Sequence, residues 1–260
     1  MVIDAHAHVY GPYPDHADPW DRDRTFIRAC DSLGIDIAVV SNIWTPRPAT
    51  PEGFQTANRN MLAALGQFRG RLWGYCYVNP GWTREAVEEI ERCVDADPDC
   101  IGVKLYNEYR INDPVVRPVI EKCIERDLPI LEHAGYSRVL REAQPNISTA
   151  DDIADVGRAY PEAKLIVAHL GGGGDWEWAV KAVAAAPPNV GADISGSVVD
   201  AGLVEYAVRE IGADRLYFGC DMSMEQGAAK LRYSRMTEEE RSLIASRSFL
   251  RLIGREAVLT

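Results

Sequence analysis

A chain of 260 residues, 47% apolar and 26% charged, can bury one large core and has the composition of a globular enzyme. Its net charge of −11 argues against a nucleic-acid footprint and against binding to anionic membranes, and no apolar run approaches the roughly 18 residues of a membrane span. The N-terminus has no basic stretch ahead of an apolar core, so no signal peptide is expected. The six cysteines form no CxxC pair and read as reduced, mostly buried thiols of a cytoplasmic protein.

Taken in chain order, strand and helix patterns alternate. Strand Val2–Val9 leads to a helix over Arg22–Leu33, strand Asp36–Asn42 to Gln55–Phe68, and strand Leu72–Val78 to Arg84–Ala96. Strand Cys100–Tyr106 precedes Pro114–Arg126, Leu128–His133 precedes Thr149–Tyr160, and Ala163–Leu170 precedes Asp175–Ala186. Strand Asn189–Ser195 precedes Asp200–Ile211, and Arg215–Cys220 is the eighth strand. The strands are β-branched and continuously apolar, as parallel strands covered on both faces are. Thr83 is a candidate cap, Asp113-Pro114 supplies a cap with proline at the first helical position, and Thr237 with Glu240 forms a capping-box pattern before a last helix ending near Gly254. Pro46–Pro51 reads as a loop over the mouth of the sheet. Eight βα units in one domain spanning 1–260 predict an α/β fold, a (β/α)8 TIM barrel, over the competing open doubly wound sheet.

Function in such a barrel concentrates where strands end. His6 and His8 close the first apolar run, His133 the fifth, His169 the sixth and Asp221 the eighth. Strand alternation places His6 and His8 on one face, with Asp4 on that face one layer deeper, where it is expected to accept a ring N–H of a ligand histidine. Convergence of these groups predicts a transition-metal site with an acid or base beside it. Lys104 and Tyr106 share the inward face of strand four, and for Lys104 a salt bridge to a neighbouring strand competes with a catalytic role. His16 falls in a loop rich in Pro and Asp and reads as solvated. The Gly171–Gly174 run has no Lys-Ser or Lys-Thr after it and reads as a tight turn beside the site, not a phosphate loop.

Taken together, Asp4-Ala-His6-Ala-His8, Gly102-Val-Lys104, Glu132-His133-Ala, His169-Leu-Gly-Gly and Gly219-Cys-Asp221 resemble the amidohydrolase superfamily, in its amidohydrolase-related branch that includes aminocarboxymuconate-semialdehyde decarboxylase-like proteins. The resemblance runs end to end, although Ser248 stands where an asparagine is common in the closing helix. It implies one divalent metal, most often zinc, on His6, His8 and His133 with Asp221 as a further ligand, and His169 beside it. In members with two metals the strand-four lysine is carbamylated, and Lys104 stands near that place; a single ion is the favoured expectation. In that setting Asp221 would shuttle a proton, His169 would stabilise charge on the substrate, and Arg47, with Tyr106, would grip a substrate carboxylate. The reading is a metal-dependent hydrolase acting on an amide, ester or lactone of a small organic acid; the alternative is non-oxidative decarboxylation of an unsaturated or aromatic acid. The expected partner is thus a small carboxylic acid derivative, with a homo-oligomer left open.

Overall fold

The structure is a computed structural model that describes residues 1–13, 17–135, 142–170 and 176–259; His16 and the Gly171–Gly174 run lie outside the described residues. Eight parallel strands follow one another around a barrel: β1 Ile3–His8, β2 Ile37–Ser41, β3 Leu72–Tyr77, β4 Cys100–Leu105, β5 Pro129–Glu132, β6 Lys164–Val167, β7 Val190–Asp193 and β8 Leu216–Tyr217. Neighbours in sequence are neighbours in the sheet. The β8–β1 seam is closed by two backbone bonds, Ala5 N–H to the Phe218 carbonyl at 2.8 Å and Asp221 N–H to the His6 carbonyl at 2.7 Å. The second of these ties a metal-site candidate on each strand end to the other.

Helices α1 Asp21–Leu33, α2 Pro51–Gln67, α3 Thr83–Ala96, α4 Arg117–Glu125, α5 Ala150–Ala159, α6 Trp176–Ala185 and α7 Leu203–Ile211 alternate with the strands. No helix among the described residues is long and apolar enough to cross a membrane. Local chemistry sets their ends. Thr50 caps α2 by accepting the Gly53 N–H, with Pro51 at the first helical position, so the loop after β2 stops at Thr50 and Pro51 belongs to the helix. Thr149 and Asp152 form a full capping box on α5, as do Thr237 and Glu240 on the short helix Glu238–Ser242. Thr83, in contrast, lies inside α3 and turns its hydroxyl to the Pro80 carbonyl, leaving Trp82 as a cap without a side-chain bond.

The core has two shells. Outward-facing Val103 and Leu105 of β4 pack with the helices, whereas Ile3, Ala5, Val39, Tyr75, Leu131 and Ile166 fill the barrel interior. Phe249 and Leu250, from helix Ser248–Leu252, join that inner group and plug the end of the barrel where the strands begin. Fully burying side chains of this size contributes about 1.5–3 kcal/mol each. The stability of this end leaves the opposite, C-terminal end free to hold polar groups.

All six cysteines are buried and unpaired, consistent with the reduced state expected of them.

Candidate metal centre and active site

The site begins with an irregularity in β1. Its pairing with β2 shifts register between Asp4 and Ala7. An extra residue at this point reverses the alternation of faces. Ile3 and Ala5 therefore point into the barrel, Ala7 and Val9 out among the helices, and His6 and His8 inward at the strand end. Asp4 consequently does not share a face with His6. Its Oδ1 accepts the backbone N–H groups of His6 and Cys220, both at 3.0 Å, and burial raises its pKa to about 7. The carboxylate expected to hold a ligand histidine instead holds the bulge.

That role falls to Asp193, at the end of β7. Its Oδ2 lies 2.8 Å from His6 Nδ1, while Oδ1 accepts the His169 and Ser195 N–H groups at 3.1 and 2.9 Å. Asp193 is wholly buried, and the charge and hydrogen bond of His6 hold its pKa below the usual carboxylate range against the opposing effect of burial. His8 is oriented similarly, through Nδ1, by Ser41 Oγ at 3.0 Å and the Ser41 carbonyl at 3.3 Å. An N–H donated from Nδ1 leaves the Nε2 lone pair of each ring directed inward. Both Nε2 atoms face Asp221 Oδ1, at 3.6 Å for His6 and 3.0 Å for His8. These three side chains offer ligand atoms within 4.8 Å of one another, the one such group among the described residues.

The electrostatics suit a cation. Burial pushes the imidazole of His8 down to about 4 and that of His169 to about 3, so both are neutral near pH 7. Asp221 is held well below the usual range by the surrounding imidazoles despite burial. One ionised carboxylate and neutral ring nitrogens are the donors that divalent transition metals take.

His133 and His169 make a second, adjoining pair. His133 Nδ1 lies 2.9 Å from His169 Nε2, and His169 Nδ1 lies 3.1 Å from Ser195 Oγ and 3.3 Å from Asp221 Oδ2. His133 Nε2 meets Gln144 Oε1 at 3.3 Å. His133 thus stands beside the His6–His8–Asp221 group, turned toward His169. Lys104 is wholly buried, with its amine 3.2 Å from His6 Nε2, and burial lowers its pKa to about 8. Among the described residues that imidazole is its one hydrogen-bond partner, so the salt bridge weighed from the sequence does not form.

Arg47 and Tyr106 meet at the entrance. The Arg47 guanidinium lies 3.4 Å from the centre of the Tyr106 ring, which in turn stacks on His133 at 4.1 Å and 18°. Arg47 also donates to the Ile43 carbonyl and the Asn107 side chain, both neutral. This wall borders a cleft of about 650 Å³ that His8, His133, Asp221 and the half-exposed Trp44 also line.

The strand ends are conformationally demanding. His169, Asp221 and Met222 have φ of +61°, +46° and +64°, a region non-glycine residues rarely enter and one that clusters at functional sites. Gly219 supplies the space: a Cβ there would lie 3.2 Å from His6 Cβ and 3.3 Å from Asp193 Cβ and Cγ. Gly219→Ala is therefore expected to push His6 and Asp193 apart and to weaken metal binding at least about tenfold, the scale of losing an orienting partner. Metal titration by calorimetry reads this directly, and unchanged affinity would contradict it.

The class this arrangement defines is a (β/α)8 barrel with a polar, cation-ready centre at the C-terminal end. A family model described as amidohydrolase matches residues 3–253, and the chain belongs to that family. Solved structures of similar fold include a 5-carboxyvanillate decarboxylase from Sphingomonas paucimobilis, 16% identical, with a TM-score of 0.71 and coverage of 97% of this chain and 98% of that one. A 4-oxalomesaconate hydratase from Rhodopseudomonas palustris is 17% identical, with a TM-score of 0.76 and coverage of 100% and 98%. A dihydroxybenzoic acid decarboxylase from Polaromonas sp. JS666, with bound manganese and the inhibitor 2-nitroresorcinol, is 18% identical, with a TM-score of 0.71 and coverage of 97% and 96%. No functionally curated protein matches the chain.

Proposed function

We propose that the chain is a divalent-metal-dependent, non-oxidative decarboxylase of a small planar carboxylic acid, aromatic or unsaturated. The observation that carries this reading is the flat wall of Arg47, Tyr106 and His133 standing beside the His6–His8–Asp221 group. A cation above an aromatic face, next to a metal-ready centre, suits a planar anion lying along the wall. The named activities of the decarboxylases of similar fold support the same choice over the hydrolase reading.

His6, His8 and Asp221 would hold one ion, with His133 as the further ligand implied by the sequence; nitrogen donors suit zinc, and the carboxylate also suits manganese. When bound, the ion supplies Lewis acidity at the substrate oxygens. The chain's own groups do the rest. Arg47 grips and orients the anion, and Tyr106, sandwiched between the Arg47 guanidinium and the His133 ring, holds that cation in place beside the centre. As the bond from ring carbon to carboxylate breaks, its electron pair stays on the carbon, carbon dioxide leaves, and the carbon takes a proton. The hydrogen-bonded pair His133–His169, with Asp221 Oδ2 3.3 Å from His169 Nδ1, is placed to deliver that proton. Lys104, beside His6 Nε2, adds positive charge under the centre; in this single-metal reading it acts as an amine, not a carbamate.

The test uses carboxyl-¹³C-labelled hydroxybenzoates with the metal-loaded protein, followed by ¹³C NMR. Labelled carbon dioxide or bicarbonate is expected, with kcat/KM about 10–100-fold lower in Arg47→Met, the scale of a lost charge-assisted pair. Turnover confined to esters or lactones, with no labelled carbon dioxide from any acid, would return the assignment to hydrolysis.

A further inference from the structure

A second cleft, of about 640 Å³, opens beside the first and shares Arg47, Asn107, Ala143 and Gln144 with it. Apart from Arg47 at its border, nothing in the proposed chemistry uses it. Trp82 and Tyr109 present large aromatic faces on its surface, 46% and 36% exposed. Gly81 allows Tyr109 to lie against the backbone, since a Cβ at that position would come within 2.7 Å of the ring.

Glu108 sits at the edge of this cleft, only 7% exposed. Its Oε1 accepts a hydrogen bond from the Tyr77 hydroxyl, and Asn146 holds its backbone carbonyl at 2.9 Å. Its other oxygen, Oε2, is buried and has no hydrogen-bond partner among the described residues. A carboxylate oxygen left so is costly unless a donor reaches it. The neighbouring cation does not: among the described residues Arg47 donates its hydrogen bonds to the Ile43 carbonyl and the Asn107 side chain. Arg47 stands where the two clefts join, so it separates the acidic Glu108 side from the end that would hold a substrate carboxylate.

We infer that the second cleft is a specificity subsite for an acid longer than one ring, whose far half is flat and ends in a hydroxyl or ammonium donor for Glu108. Resting on the proposed carboxylate grip at Arg47, this names the substrate class: a two-part molecule, anionic at the metal end, apolar where it passes Trp82 and Tyr109, and hydrogen-bond-donating at Glu108. A molecule of one ring fills only the first cleft.

Calorimetric binding to the metal-loaded protein tests this with three probes: benzoate, biphenyl-3-carboxylate and 3′-hydroxybiphenyl-3-carboxylate. The hydroxylated two-ring acid is expected to bind about tenfold more tightly than biphenyl-3-carboxylate, the scale of one hydrogen bond to a charged group. Glu108→Gln, whose amide carbonyl can keep the Tyr77 bond while its NH2 replaces the open acceptor, should erase that tenfold. Trp82→Ala, at an exposed position, should weaken both two-ring acids more than benzoate and keeps the test readable if Glu108→Gln does not fold. Equal binding of the two biphenyl acids, with benzoate still weakened in Arg47→Met, overturns the subsite alone. Indifference of all three acids to Arg47→Met overturns the carboxylate grip and the subsite with it.

Discussion

Asp221→Asn is expected to give a folded protein whose turnover falls about 10²–10⁴-fold, the range of a lost proton-transfer group. The fold should survive because Asn tolerates the positive φ of +46° at this position better than other residues and keeps the shape of the side chain. Activity should not, because Asp221 meets both candidate functions at once. Its Oδ1 faces the Nε2 atoms of His6 and His8, and its Oδ2 faces His169 Nδ1. Asn removes the ionised carboxylate that faces the inward ring nitrogens and replaces an acceptor with a donor. Thermal melting and steady-state kinetics check the two halves. Retention of activity within about fivefold, far short of the loss expected for a proton-transfer group, would remove Asp221 from the mechanism.

Asp193→Asn makes a sharper point about orientation. Its Oδ1 receives two backbone N–H groups, so the Asn carbonyl is held there and its NH2 must face His6 Nδ1. A donor facing Nδ1 forces the His6 proton to Nε2, which withdraws the lone pair aimed at the metal group. Metal affinity is expected to fall about 10–100-fold, and activity with it, although residue 193 lies behind the ligand. Nitrogen-15 NMR of labelled histidine reports the tautomer independently of activity. A His6 proton that remains on Nδ1, with full metal affinity, would show that Asp193 does not set the ring.

The barrel was legible because each strand is a short apolar run and each run ends in a polar residue. That same pattern placed His6, His8, His133, His169, Lys104 and Asp221 at one end of the sheet. Two things were hidden and a third was overlooked. The bulge between Asp4 and Ala7 has no residue signature in Ile-Asp-Ala-His-Ala-His, so strict alternation gave Asp4 the role that Asp193 performs. Asp193 could have been found, since it closes Val-Gly-Ala-Asp as the histidines close theirs. The helix Met224–Tyr233 was missed because Gly227 and a buried lysine interrupt its pattern; both have tertiary reasons. Gly227 lets the helix approach Cys220, and Lys230 donates to the carbonyls of Ile194, Ser195 and Gly196, tethering the segment that carries Ser195 to His169. Pairing between elements distant in sequence decides such details, and periodicity within one element does not contain it.

Metal content per chain tests the central claim most directly, measured by plasma mass spectrometry on protein purified without chelators or added metal. About one divalent ion per chain is expected, lost in His6→Ala and in Asp221→Asn while the fold is retained. A folded chain that takes up no ion even after reconstitution with zinc or manganese would contradict the account.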